Sequence, residues 1–243
     1  MKTSNKLFVA AVALVLGSLA TYDAALRAEY RTGHYKDALY NYDALAFRNF
    51  DKVAVPAAGA MNVKIVAGPF GVHVNKEVAE YVRVTQQCEQ LTVALAYPKE
   101  RKWLGRQNAV VISCPRLQAL STDGVYTVAG QPQVKKQVEY GNESHVLVKG
   151  FSQDSLTLTQ DHASTVRFVG NTLGQLRATT GLSVGSGSKL LLDPTNRIQA
   201  ATLAMEHQSQ LELEVAIPQL RSRFSDSTTV VLKGAAAHSI GTK

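Results

Sequence analysis

A chain of 243 residues is long enough to bury a sizeable core, so neither a disulfide framework nor a structural metal is needed to hold it together. Aromatic residues make up only 7%, while Val, Leu, Ala, Ser, Thr and Gly are plentiful. That balance favours thin β-structure over a globule packed around large rings. The net charge of +7 does not make the chain a nucleic-acid binder, because residues 150–243 hold eight Lys/Arg against seven Asp/Glu and the remaining surplus lies in 1–149.

The N-terminus sets the compartment. Lys2 and Lys6 form a positive start, and Leu7–Ala20 is an apolar run. Ser18-Leu19-Ala20 puts small residues where signal peptidase cuts. The run suits a signal-peptide core and is shorter than the about 20 residues of a full membrane span. Thr21 and Tyr22 are tolerated at an interface, however, and Ala24, Ala25 and Leu26 extend the helix past Asp23. Both a cleaved signal and an uncleaved anchor therefore fit residues 1–26. Either sends the body across the membrane, into the cell envelope: anchored in the inner membrane with the body in the periplasm, or exported after cleavage. Residues 27–50, with Tyr30, Tyr35, Tyr40 and Tyr42 among charges, read as a juxtamembrane spacer with one short helix around Lys36–Phe47.

Residues 51–243 read as a β domain. Val53/Val55, Val63/Ile65, Val72/Val74, Val82/Val84 and Leu91/Val93/Leu95 alternate with polar or small residues, the period of half-buried strands. Within the first half, "YPKERKWLGR" (Tyr97–Arg106) concentrates positive charge around Trp103, a combination able to touch phosphates or an anionic membrane and equally consistent with a solvated hairpin loop. Cys88 and Cys114 lie in no C-x-x-C pair; they could form one disulfide in an exported chain, and the reading preferred here is that both are buried and unpaired.

The second half carries an internal pattern. Four short strands lead through small-residue turns into second strands that begin at Val166, Leu190, Leu211 and Val230, steps of 24, 21 and 19 residues. A period near twenty predicts a mainly β, single-stranded parallel β-helix or β-roll solenoid. The alternative is an antiparallel β-sandwich. In the solenoid, Ser164, Ser188, Ser209 and Thr228 would align as an exposed ladder able to face a protein or glycan partner.

"GLSVGSGSK" (Gly181–Lys189) contains G-x-S-x-G around Ser183 and imitates a phosphate loop. A nucleophile elbow needs a helix after its serine, and a Walker loop needs Gly-Lys-Ser/Thr opening a helix. Here a strand follows, so the glycines read as a turn. His162 and His207 each precede a second strand by four residues and share a column with Ser186, too far apart for one zinc. Asp154, Asp161, Asp193, Glu206 and Asp226 are spread over different turns, where Asp is common for backbone reasons, and Glu212 and Glu214 flank Leu213 on an outward strand face. No catalytic, cofactor-binding or metal-binding residue is assigned, and no cofactor is expected.

The segment "ISCPRLQALSTDG" (Ile112–Gly124) resembles the Pro-x-Leu-x-x-Leu strand and small-residue turn of the head GIN domain family, bacterial cell-envelope proteins described as auto-transporter adhesins. The resemblance extends to "FDKVAVPAAGAMNVKIVAGPFGVHV" (Phe50–Val74), and Pro218-Gln219-Leu220 echoes Pro115-Arg116-Leu117. The family's Gly-Ile-Asn is Ala60-Met61-Asn62 here. What the resemblance implies is an exported β-helical envelope protein that is not an enzyme, with no catalytic residues to carry over; a binding or structural role toward an unidentified protein or glycan follows instead from the flat faces of a solenoid. Two rival readings are a polysaccharide-active enzyme on the same scaffold and a basic membrane-surface module acting through Lys99–Arg106.

Overall fold

The computed structural model describes residues 3–136 and 144–240. The chain divides into two compact units, Met1–Tyr42 and Asp43–Lys243.

The first unit is dominated by α1 (Thr3–Thr32), none of whose residues is buried. Its polar residues are satisfied locally: Ser18 Oγ donates to Val15 O at 2.8 Å, and Thr21 Oγ1 donates to Ser18 O at 2.9 Å. Asp23 and Arg27 pair at i,i+4, 3.0 Å apart. A 3₁₀ turn over His34–Lys36 follows. The short helix expected around Lys36–Phe47 is not formed, because the chain there turns directly into a strand beginning at Tyr42.

The second unit is built of strands. In chain order they are β1 (Tyr42–Leu45), β2 (Lys52–Val55), β3 (Asn62–Ala67), β4 (Gly71–Asn75), β5 (Val82–Gln87), β6 (Gln90–Tyr97) and β7 (Asn108–Cys114). Then come β8 (Ala119–Thr122), β9 (Val125–Val128), β10 (Gln131–Val134), β11 (Val146–Lys149), β12 (Ser152–Gln160) and β13 (Thr165–Val169). The last are β14 (Thr172–Thr180), β15 (Lys189–Leu192), β16 (Arg197–Met205), β17 (Gln210–Leu213), β18 (Gln219–Phe224) and β19 (Thr229–Leu232), before a short α2 (Ala235–Ile240). Nine strands form one sheet in the order β1-β4-β7-β3-β11-β13-β15-β17-β19. Ten form the other, β10-β9-β6-β2-β8-β12-β14-β16-β18 with β5 paired to β6.

Both sheets are mixed, and this corrects the expectation of a β-helix solenoid running from 51 to 243. The pairs β4·β7, β5·β6 and β9·β10 are antiparallel. Two-residue turns at Cys88-Glu89 and Ala129-Gly130 return the chain at once onto its own neighbour, and their positive φ values (52° at Cys88, 49° and 77° at Ala129 and Gly130) match the twist of a hairpin. The alternative expectation, an antiparallel β-sandwich, agrees in its two sheets but not in strand direction throughout, since the ladders from β11 to β19 are parallel. The architecture is sandwich-like only in that both sheets contribute to one core.

From β11 onward successive strands alternate between the sheets, and register stacks like on like. Val146, Val166, Leu190, Leu211 and Val230 form one ladder. In the other sheet Leu120, Leu158, Ala178 and Leu203 do the same. Apart from Val230 these side chains are 2% exposed or less, and burying each leucine or valine is worth about 1.5–3 kcal/mol.

Each connection at the β13–β14 end must satisfy backbone groups that leave the ladders. Asn171 and Asn196 do so there. Asn171 Oδ1 accepts the Phe151 N–H at 3.0 Å, and its Nδ2 donates to Val148 O and Asn196 Oδ1. Asn196 Nδ2 donates in turn to Phe168 O at 2.7 Å. The cysteines differ from expectation: both are free, but only Cys114 is buried, its thiol pushed up to about 12 by that burial, while Cys88 is exposed on its hairpin turn.

Candidate functional site

Two places gather chemistry-bearing side chains. The first is the corner that holds Ser183. Residues 181–188 join β14 to β15, a strand-to-strand connection, so the elbow geometry is absent. A hydroxyl, an imidazole and carboxylates do meet here, in the wrong order for a nucleophile. Ser183 Oγ donates to Asp161 Oδ2 at 2.6 Å, and Ser183 N–H donates to Asp161 Oδ1 at 3.1 Å. His162 Nδ1 sits 2.8 Å from Asp123 Oδ1 and 3.5 Å from Asp161 Oδ2. Activation of a serine requires the imidazole on the hydroxyl; here the carboxylate holds it. Burial raises the Asp161 pKa, but hydrogen bonds from Ser183, Ser186 and the backbone outweigh it and leave the carboxyl below its ordinary value. Asp161 is thus an ionised acceptor that ties adjacent turns together. His207 occupies an equivalent left-handed corner, with φ of 44° against 33° at His162.

Asp193, Glu206 and Glu212 form ion pairs of their own away from Asp161. Asp193 binds Arg167 at 2.9 Å, and Glu206 binds Arg223 at 2.6 Å. Glu212 lies on the outward face of β17 as expected and pairs with Lys189 and Lys233. Among the described residues no three His, Cys, Asp or Glu are grouped to hold a metal ion.

The exposed hydroxyl ladder is corrected. Ser164, Ser188 and Ser209 are fully buried. Ser164 Oγ donates to Asp161 O at 2.7 Å and lies 3.2 Å from Thr122 Oγ1. Half-buried Thr228 donates to Met205 O at 2.9 Å. Ser164 and Thr228 thus each supply a donor to a turn carbonyl, whereas Ser188 Oγ accepts from Ser186 Oγ at 3.1 Å and Ser209 Oγ has no hydrogen-bond partner among the described residues.

The second place is the connection from β6 to β7, residues 98–107. It crosses between the sheets, so it is not the hairpin loop expected from sequence. Beneath it lies a tyrosine floor: the rings of Tyr81 and Tyr97 are 5.3 Å apart, and those of Tyr97 and Tyr126 are 6.0 Å apart, edge to face. Tyr97 OH donates to Lys102 O at 3.0 Å, and burial pushes its phenol up to about 12. Lys102 stands over Tyr81 and Arg101 over Tyr126, each cation within 6 Å of the ring centre, at 5.6 and 5.8 Å. A side-chain hydrogen bond with Tyr81 and its charge raise the Lys102 pKa. A cleft of about 280 Å³ opens between Glu80, Tyr81, Pro98, Lys99 and Lys102. Trp103 is 68% exposed beside these fixed cations. The basic loop was visible in the sequence; Tyr81 and Tyr126 were not, since only the β5·β6 and β6·β9 pairings bring them beneath it.

No protein-family model matches the chain, and neither does any curated protein. Its backbone is similar to a solved "putative adhesin" of Bacteroides fragilis, at a TM-score of 0.49 and 12% identity, over 80% of this chain and 93% of that one. A second "putative adhesin", from Parabacteroides distasonis, gives 0.43 and 11% over 80% and 94%. A "putative lipid binding protein" from the same organism gives 0.25 and 10% over 80% and 94%.

Proposed function

We propose that this chain is a non-enzymatic binding module of the cell envelope, tethered by α1 with its β body on the far side of the inner membrane. The observation that carries this reading is α1 itself. It is long and apolar enough to cross a membrane, and none of its window is buried. Leu7, Phe8 and Leu14 are 68%, 71% and 75% exposed. Apolar side chains in that number need lipid or a partner to cover them, and the back-bonded Ser18 and Thr21 hydroxyls leave no local donor wasted in hydrocarbon. Protein recovered from its native cells should carry its full-length mass and leave the membrane fraction only with detergent. A soluble form beginning at Thr21 would replace the anchor with a cleaved signal, and the module would then be secreted.

A second reading, contact of the 98–107 loop with anionic lipid, is favoured by the exposure of Trp103 among Lys99, Arg101, Lys102 and Arg106. Trp103 is the one tryptophan, so its emission reports the loop alone. With the full chain reconstituted in both, Trp103 emission should be blue-shifted in phosphatidylglycerol-rich vesicles relative to phosphatidylcholine vesicles, and salt should reverse the shift. Equal spectra in the two lipids would end this reading.

A further inference from the structure

The core is open at one end. β18 and β19 are the terminal strands of their sheets. Register places Leu220 after Ala201, Phe224 after Met205 and Val230 after Leu211. Those predecessors are 2%, 0% and 1% exposed, whereas Leu220, Phe224 and Val230 are 38%, 40% and 37% exposed. α2 buries Ala236 but does not cover these three. Inward-facing apolar columns therefore run out into solvent beside two strand edges that are unpaired among the described residues, an arrangement that β-proteins normally blunt or cover.

The backbone of β18 is set to receive another strand. Ser225 N–H bonds Met205 O at 3.0 Å. In a parallel ladder only alternate residues turn their N–H toward the same neighbour, so the N–H of Ser222 points away from β16. The outward face of this edge carries Arg221, exposed and in no ion pair among the described residues, and Arg223, 77% exposed with its guanidinium on Glu206 at 2.6 Å. That charge decides the occupant. Antiparallel pairing with β18 of a second copy, with like faces matched, sets Arg221 against Arg223 or against itself in the registers that pair most of the strand, and like charges directly opposite are unfavourable. A strand with acids at those positions gains where a second copy loses.

We propose that β18 is a docking edge for an extended segment of a partner protein in which apolar residues alternate with Asp or Glu. The apolar residues continue the Leu220 and Phe224 columns, the acids face Arg221 and Arg223, and the main chain completes the ladder at Ser222. This names the surface and partner chemistry of the binding module proposed above. A cleaved, soluble body would carry the edge equally, so failure here leaves the membrane-partition result untouched, and the reverse also holds.

The test uses the full chain in detergent and two fluorescein-labelled peptides, Glu-Leu-Glu-Val-Glu-Leu-Glu and its lysine counterpart, read by fluorescence anisotropy. The acidic peptide should bind and the basic one should bind at least about tenfold more weakly. Arg221→Glu should reverse that preference while leaving the melting temperature unchanged. Ser222→Pro, which removes a donor that serves no strand among the described residues, should abolish both. Equal affinity for the two peptides, or binding indifferent to both substitutions, overturns the proposal. So does a wild-type dimer in sedimentation that becomes monomeric with Ser222→Pro, which would give the edge to a second copy.

Discussion

Gly181→Ala should lower the melting temperature of the full chain in detergent by roughly 10 °C, a loss of about 3 kcal/mol at the few degrees per kcal/mol typical of this size. Gly185→Ala should cost about a third of that. Both glycines have a φ of 75°, so an alanine at either bears the left-handed penalty of about 1–2 kcal/mol. Their surroundings differ. A Cβ on Gly181 would lie 1.9 Å from Glu206 O and 2.7 Å from its carbonyl carbon, whereas one on Gly185 meets nothing within 4 Å. The obstacle at Gly181 is backbone in an adjacent turn, and it cannot swing aside. Gly181 N–H bonds Gln160 O at 2.9 Å, and Glu206 N–H bonds Thr180 O at 3.0 Å, so relief by movement strains the ladders themselves. Overpacking of that kind adds about 1–3 kcal/mol. Thermal scans by circular dichroism decide the matter: equal melting temperatures for the two variants would mean that close approach, as distinct from turn conformation, plays no part in this stretch.

The same stretch shows what the sequence discloses and what it hides. Period-two alternation is a local property, so the second strands beginning near Val166, Leu190, Leu211 and Val230 could be read directly, and all four meet in one ladder. The turn nature of Gly181–Ser188 was equally legible, because a strand follows it. Non-local geometry was hidden. Small hydroxyl residues at a turn look solvent-facing, yet Ser164, Ser188 and Ser209 are buried, and the Ser164 hydroxyl donates to the Asp161 carbonyl of its own corner. Neither Cys88-Glu89 nor Ala129-Gly130 carries an Asn-Gly or Asp-Gly signal, so the two hairpins that make the ten-stranded sheet mixed are not legible in the sequence. At the candidate site the loop's cations and Trp103 could be read in one run of sequence. The floor that fixes two of those cations is assembled from Tyr81, Tyr97 and Tyr126, which come from separate segments.

Asn171→Leu should be as damaging as Gly181→Ala, for a different reason. Asn171 is 1% exposed and Asn196 3%; leucine keeps the same branching and heavy-atom count, with bulkier methyl groups in place of O and NH2, so the change is chiefly one of hydrogen bonding. Without the amide, the Phe151 N–H and Val148 O lose their side-chain partner in a site that water does not reach. Leaving a buried donor or acceptor unsatisfied costs about 1–3 kcal/mol per group, so a loss of about 3 kcal/mol is expected from the pair. Asn196→Leu should cost a similar amount, since Asn196 Oδ1 accepts Asn171 N–H at 3.0 Å and its Nδ2 serves Phe168 O and Asp193 O. The two residues also share the Nδ2–Oδ1 bond between them. Each single variant already breaks that bond, so the double variant should cost less than the sum, by about 1 kcal/mol for side chains in direct contact. Denaturant unfolding of the two singles and the double measures this coupling. Strict additivity would show that each asparagine caps its own turn independently; sub-additivity would show that adjacent turns at this corner hold each other through their side chains as well as through their strands.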